Sequence, residues 1–172
     1  MDNQHWYVFY VRMHHEKKAA EKLANLGVTY YLPVQEVTRQ WSDRKKKLKI
    51  VVIPMMIFVK ADEVKRVELL RDIPALTGRL IDRTTGHPAI IRDDEMKRFM
   101  FMLDYSEEAV HFIGEPLQPG TNIEVVKGPL SGLRGELLEQ NGKSHVVIRI
   151  SQLGCASIEM PVGYVKKEQS PQ

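Results

Sequence analysis

The chain of 172 residues contains one cysteine, Cys155, so it makes no internal disulfide and has no C-x-x-C metal or redox site. That usage predicts a reducing compartment, with the cytoplasm as the default. Long hydrophobic runs are also missing. The longest, residues 50–59, is ten residues with Pro54 inside it, against about 20 needed to span a bilayer. It reads as a core strand, and no membrane association is expected. The opening MDNQHWYVFYVRMHHEKK has no basic segment ahead of its short apolar stretch and no small-residue cleavage site, so no secretory leader is predicted. Neither sign of charge dominates the net value of +3, and a hydrophobic content of 43% with 27% charged residues excludes wholesale disorder. No internal repeat or low-complexity tract is present.

Reactive groupings are equally sparse. His14-His15, Asp93-Asp94-Glu95 and Cys155 are the only tempting ones, and no H-x-x-x-H or H-E-x-x-H spacing occurs. The acidic triplet suits the positive end of a helix. The glycine-rich stretch at residues 128–135 lacks the Gly-Lys-Ser/Thr ending of a phosphate-binding loop. The chain is therefore expected to be no enzyme and to need neither cofactor nor metal.

What is present is unevenly placed. Residues 39–49 hold Arg39, Arg44, Lys45, Lys46, Lys47 and Lys49 against Asp43 alone, a local +5, so the remainder sums to −2. Such a run attracts nucleic-acid phosphates, and a solvated hairpin end is the plain alternative. The length suits one ordinary domain or two small ones. Residues 5–12 (HWYVFYVR) are apolar at both parities, the pattern of a strand covered on both faces. A helix over 16–26, with Ala19, Ala20, Leu23 and Leu26 in register, ends at Gly27. Residues 30–41 and 45–52 read as extended segments bent back around Ser42-Asp43-Arg44, a hairpin with a positive tip. A strand over 55–60 follows, then a helix capped by Asp62, with Val64, Val67 and Leu70 as its apolar stripe, ending before Pro74. A strand over 76–81 and a third helix starting at Asp93 or Asp94, with Met96, Phe99, Met100 and Leu103 on one face, complete the β-α-β-β-β-α-β-α order.

That alternation predicts an α+β fold, an α/β sandwich over residues 1–105. Turn formers such as Gly114, Pro116, Pro119 and Gly120 mark residues 106–119 as a linker. Residues 120–172 show no helical period. Short strands over 122–126, 135–139, 145–150, 157–160 and 163–165 predict a small all-β, SH3-like barrel.

The most specific motif is residues 123–139, IEVVKGPLSGLRGELLE, where three glycines and a proline compress a turn between two strands. It resembles a KOW motif. Upstream, Trp6-Tyr7-Val8, the stretch Ile53-Pro54-Met55-Met56-Ile57-Phe58-Val59, and Ile73-Pro74-Ala75-Leu76-Thr77-Gly78 followed by Pro88 and Glu95 resemble the amino-terminal domain of the NusG family. The basic segment Gln40-Trp41-Ser42-Asp43-Arg44-Lys45-Lys46-Lys47 is most similar to the UpxY specialised paralogues, which antiterminate capsular polysaccharide operons, with RfaH as a comparable relative. Where the family commonly has Phe-Pro-Gly-Tyr or Phe-Pro-Asn-Tyr, this chain has Ile53-Pro54-Met55-Met56.

The resemblance implies a transcription antitermination or elongation regulator that grips the β′ clamp helices of RNA polymerase through Tyr10, Ile53, Met56 and Phe58. It implies contacts to the non-template DNA of the elongation complex through Lys17, Lys18, Lys65 and Arg66, with a solvated helix face as the alternative, while the Arg44, Lys45, Lys46 and Lys47 tip is left open among upstream DNA, RNA and an acidic polymerase surface. In the KOW barrel, Leu130 and Leu153 match positions that present apolar side chains to a ribosomal small-subunit protein or to Rho, and Leu130 as a mere cover for its turn is the alternative. A monomer is implied. Met55 and Met56, adjacent on a strand, should point to opposite faces, so that one of them feeds an exposed apolar patch. The rival readings are a general elongation factor, or a ribosome-associated RNA-binding protein built on the same KOW barrel.

Overall fold

The computed structural model describes residues 3–115 and 117–169. Pro116, assigned above to the linker, and the ends of the two expected domains (residues 1–2 and 170–172) lie outside them. The described chain is mixed α/β, with three α-helices and twelve strands in a four-stranded, a six-stranded and a two-stranded sheet. It divides into two compact units that interleave in sequence: Met1–Pro33, Ile53–Asp93 and Ser151–Leu153 form the first, and Val34–Val52, Asp94–Ile150 and Gly154–Gln172 the second.

In the first unit, β1 (His5–Val11) lies inside an antiparallel sheet of order β2-β5-β1-β6, with β2 (Thr29–Tyr31), β5 (Met56–Ala61) and β6 (Leu76–Arg79). One face carries Tyr7, Phe9 and Val11 beside Ile57, Val59 and Ala61. Against it pack Ala19, Ala20 and Leu23 of α1 (Glu16–Asn25), Leu69 of α2 (Glu63–Asp72) and Ile73. Val8 and Phe58, directly opposite one another, belong to the other face and are equally buried, so β1 is covered on both sides as its apolar pattern predicts. Helix α1 closes where expected: Val28 N–H donates to the Leu23 carbonyl and Gly27 N–H to that of Ala24, the paired bonds of a glycine-terminated helix. The Asp62 carboxylate caps α2 by accepting from Lys65 N–H at 2.7 Å.

The expected apolar stripe of α2 is buried only in part: Leu70 packs against the core, but the other two positions do not. Val64 and Val67 are exposed, whereas Arg66 and Leu69 face inward. The Arg66 guanidinium sits over the Tyr7 ring, 5.4 Å from its centroid, a cation–π contact that gives the arginine a partner on the sheet side of the helix. The strand expected over 55–60 begins one residue later. Met55 is a turn residue with φ of 63°, its N–H bonded to the Glu16 carboxylate at 3.0 Å and its carbonyl to Val11 N–H at 2.8 Å. This left-handed conformation accounts for the Gly or Asn that the family pattern places there.

In the second unit, β3 (Val34–Gln40) and β4 (Lys45–Val51) form the two-stranded sheet, and Pro33 separates β3 from β2 within the expected extended segment 30–41. Helix α3 (Asp93–Tyr105) buries Met96, Phe99, Met102 and Leu103, with Met102 in the place expected for Met100. The six-stranded sheet runs β12-β8-β9-β10-β11-β7, all antiparallel. It comprises β8 (Thr121–Val125), β9 (Arg134–Gln140), β10 (Lys143–Ile150), β11 (Gly154–Glu159) and β12 (Val165–Lys167); four of these overlap the expected strands, but the fifth, expected over 163–165, is displaced because Val162–Tyr164 form a 3-10 turn and pairing with β8 begins only at Val165. To them it adds β7 (His111–Ile113), drawn from the stretch assigned to the linker. Gly154 makes that extra strand possible, since a Cβ there would lie 2.2 Å from the Ile113 carbonyl oxygen.

Two polar ties hold the 106–119 stretch. Gln35, buried at the base of the hairpin, donates through Nε2 to the Glu108 carbonyl at 2.7 Å and accepts from Val110 N–H at 2.8 Å. Arg149 donates to Glu136 and to the Gln118 carbonyl, and Glu136 accepts from Gly120 N–H. Burial pushes the Glu136 carboxyl up, but the hydrogen bonds from Arg149 and Gly120 and the Arg149 charge outweigh it and hold the group below the usual carboxylate range. Cys155 is buried in β11, and desolvation raises its thiol above the ordinary value, the opposite of what a thiolate nucleophile needs.

Candidate nucleic-acid interface

The β3–β4 hairpin is built by strict pairing. Gln40 opposes Lys45, Arg39 opposes Lys46, Thr38 opposes Lys47, Val37 opposes Leu48 and Glu36 opposes Lys49. Trp41 N–H donates to the Arg44 carbonyl at 2.8 Å, which closes the turn over Ser42-Asp43. Residues directly opposite share a face and alternate residues change face. One face therefore carries Trp41, Arg39, Arg44 and Lys46 at the tip, with Val37 and Leu48 behind them. The other carries Gln40, Thr38 and Glu36 with Lys45, Lys47 and Lys49.

Residues 38–47 are all exposed. Among the described residues, the one ion pair of the tip joins Lys47 to Glu36 at 3.6 Å, and with both partners solvated it contributes little. The Lys46 ammonium lies 5.6 Å from the centre of the Trp41 ring. Pairing thus gathers Arg44, Lys45, Lys46 and Lys47, with Arg39 and Lys49, on one short projecting element. Behind the tip, Val37, Arg39 and Ile50 line a cleft of about 520 Å³ with Val110, His111 and Phe112.

The helix cations separate. Lys17 and Lys18 are exposed in the first turn of α1. Lys65 is half-buried and 3.7 Å from Glu68, beside a cleft of about 310 Å³ that Lys22 and Asp72 also line. Arg66 is corrected from the expected DNA-facing position: it is buried, stacked on Tyr7 and 3.8 Å from Glu63.

The expected apolar patch is also reduced by the fold. Ile53 and Phe58 are core residues at 1% and 0% exposure, because β5 turns Phe58 against Val8. Tyr10 and Met56 oppose each other across β1 and β5 and both remain half-exposed. Exposed Met55 and Met13 lie in the adjoining turns of the same unit. Met55 does leave the core, through its left-handed backbone rather than through strand parity. Leu130 and Leu153 are both buried, so neither is presented as expected. Leu130 lies in a turn in which Gly132 (φ of 98°) donates to the Val125 carbonyl at 2.7 Å and Leu133 N–H donates to that of Leu130.

Sequence reasoning passed over Met13, Gln35 and Trp41 as site residues. A tryptophan next to a hairpin turn and a cation run was the available signal for Trp41. Nothing local marked Gln35, whose partners are more than 70 positions away. Among the described residues no group of three His, Cys, Asp or Glu is placed to hold a metal ion, and no helix is long and apolar enough to cross a membrane.

A family model described as transcription termination factor NusG matches residues 4–100. No curated protein sequence matches the chain. Among solved structures, it is similar to NusG of Thermotoga maritima, from a study of domain interaction in that protein, at 18% identity and a TM-score of 0.49, over 96% of this chain and 98% of that one. It is also similar to the MjSpt4:Spt5 complex in two conformations. Conformation A matches at 14% identity over 96% of this chain and 99% of that one, with a TM-score of 0.30. Conformation B matches at 17% identity over 97% and 99%, also with a TM-score of 0.30.

Proposed function

The chain belongs to the NusG family of transcription factors, and we propose that it is a non-enzymatic, cytoplasmic regulator that binds elongating RNA polymerase and promotes processive transcription of selected operons, capsular or exopolysaccharide operons foremost. The observation that carries this reading is the half-exposed Tyr10–Met56 pair, directly opposed across the two central strands whose apolar residues are otherwise buried. Exposed apolar groups so placed favour a protein partner, and unbranched methionine adapts to the ridges of a helix. In this reading Tyr10 and Met56, with Met13 and Met55, contact the β′ clamp helices, while Ile53 and Phe58 pack beneath and fix the patch. Bridging the polymerase cleft restrains its opening and so lowers pausing.

The cationic hairpin holds the backbone of nucleic acid in the same complex, non-template DNA or RNA, with exposed Lys17 and Lys18 adding charge. Residues 1–105 supply the grip, and the KOW barrel of residues 120–172 takes a second partner, a ribosomal small-subunit protein or Rho. Since Leu130 and Leu153 are buried, that partner meets the turns they support rather than the leucines themselves.

The test is co-purification with polymerase of Tyr10→Glu and Met56→Glu variants whose circular dichroism stays native. Loss of binding in both is expected, and undiminished binding in both overturns the assignment. A pausing assay on a polysaccharide-operon leader and on an unrelated template separates specialist from generalist: the specialist shortens pauses on the first only.

A further inference from the structure

The chain has two tryptophans, and the structure treats them oppositely. Trp6 is 7% exposed in β1, whereas Trp41 is 53% exposed at the hairpin tip. An indole left in water forgoes the burial that makes tryptophan stabilising, so its place at a solvated tip asks for a ligand. Strand pairing surrounds it with charge of one sign. Arg39, Arg44 and Lys46 share its face, and Lys46 is already within reach of the ring.

We propose that this face of the hairpin is a stacking platform for unpaired nucleobases, so that the tip binds single-stranded nucleic acid in preference to duplex. The inference rests on the nucleic-acid reading above and adds the form of the ligand. A flat aromatic ring between cations matches a nucleotide in both of its parts: the base stacks on the indole and its phosphate meets a guanidinium or ammonium group. A duplex conceals the faces of its bases and offers such a tip phosphates alone. The opposite face of the hairpin, with Lys45, Lys47 and Lys49 but no aromatic residue, suits only that second kind of contact. Behind the indole the same face continues past Val37 into the cleft of about 520 Å³, where Ile50 and Phe112 provide apolar walls for a neighbouring base. An acidic peptide would satisfy the cations and leave the indole unused.

The experiment titrates the full-length protein with short oligothymidylate, oligouridylate, a DNA duplex of equal length and an acidic peptide, following tryptophan fluorescence. Because Trp6 is buried, quenching reports on Trp41. Single strands are expected to quench and to bind more tightly than the duplex, and the tighter of the two homopolymers distinguishes displaced DNA from transcript. Trp41→Ala should weaken single-strand binding by about five- to 150-fold per stacked base, with its salt dependence unchanged, while Trp41→Phe retains most of the affinity. Replacing Arg44, Lys45, Lys46 and Lys47 by Ser should instead lower the salt slope, by about 0.7 for each phosphate no longer neutralised. Equal affinity for duplex and single strand, or a Trp41→Ala variant that binds normally, overturns the stacking proposal and leaves the cationic tip as a phosphate binder. Binding of the peptide but of no oligonucleotide overturns both.

Discussion

β1 and the β3–β4 hairpin are both extended and both rich in large side chains, yet they use them in contrary ways. β1 buries Tyr7, Val8, Phe9 and Val11 almost completely. The hairpin exposes all of residues 38–47. In β1 the side chains of both faces are buried, so each contributes hydrophobic and packing free energy. In the hairpin tip neither face is covered, and what its side chains gain awaits a partner. The residue between these extremes is Gln35, a polar side chain at the buried base of the exposed hairpin.

The contrast is tested most severely at Phe58. Phe58→Ala should cost about 3–5 kcal/mol by opening a cavity in the doubly covered sheet. Trp41→Ala or Lys46→Ser at the tip should change stability by no more than about 0.5 kcal/mol. Urea unfolding of the three variants measures both, and a comparable loss at the tip would abolish the distinction. A smaller effect is expected at the hairpin base. Gln35→Leu leaves the Glu108 carbonyl and the Val110 N–H without their partner, which should cost about 1–3 kcal/mol. Faster hydrogen exchange at Val110 and along β7 would localise that loss, and unchanged exchange there would show that the glutamine does not hold the segment.

An effect of opposite sign is expected in the turn that feeds β5. Met55→Gly removes the left-handed penalty of about 1–2 kcal/mol while adding glycine's unfolded-state entropy of about 0.5–1 kcal/mol. A net gain of about 0.5–1 kcal/mol is expected in thermal or urea unfolding. If the exposed methionine serves polymerase, the same variant binds it less well, so stability and binding move in opposite directions.

How much of this was legible beforehand depended on distance along the chain. The basic hairpin was read correctly because a turn between two extended segments is a local pattern, and so were the Asp62 cap and the Gly27 terminus. The buried face of α2 was partly misread because Val64 and Val67 look apolar in isolation. Arg66 has its partner in Tyr7, some 60 positions earlier. β7 was missed because three residues are too few to show a period and are followed by turn formers, so they become a strand only when β11, with Gly154 at its edge, offers them an open ladder.

By itself, then, the sequence determined the succession of strands and helices apart from β7, the family through its residue pattern, and the place where positive charge accumulates. These follow from periodicity, capping and composition, which act within a few residues. Tertiary structure alone decided that Ile53, Phe58, Leu130 and Leu153 are packing residues while Tyr10 and Met56 remain half-exposed. It alone set Trp41 on one face with Arg39, Arg44 and Lys46. Exposure and shared faces depend on strand register and on which layer lies over a sheet, and both are fixed by partners distant in sequence.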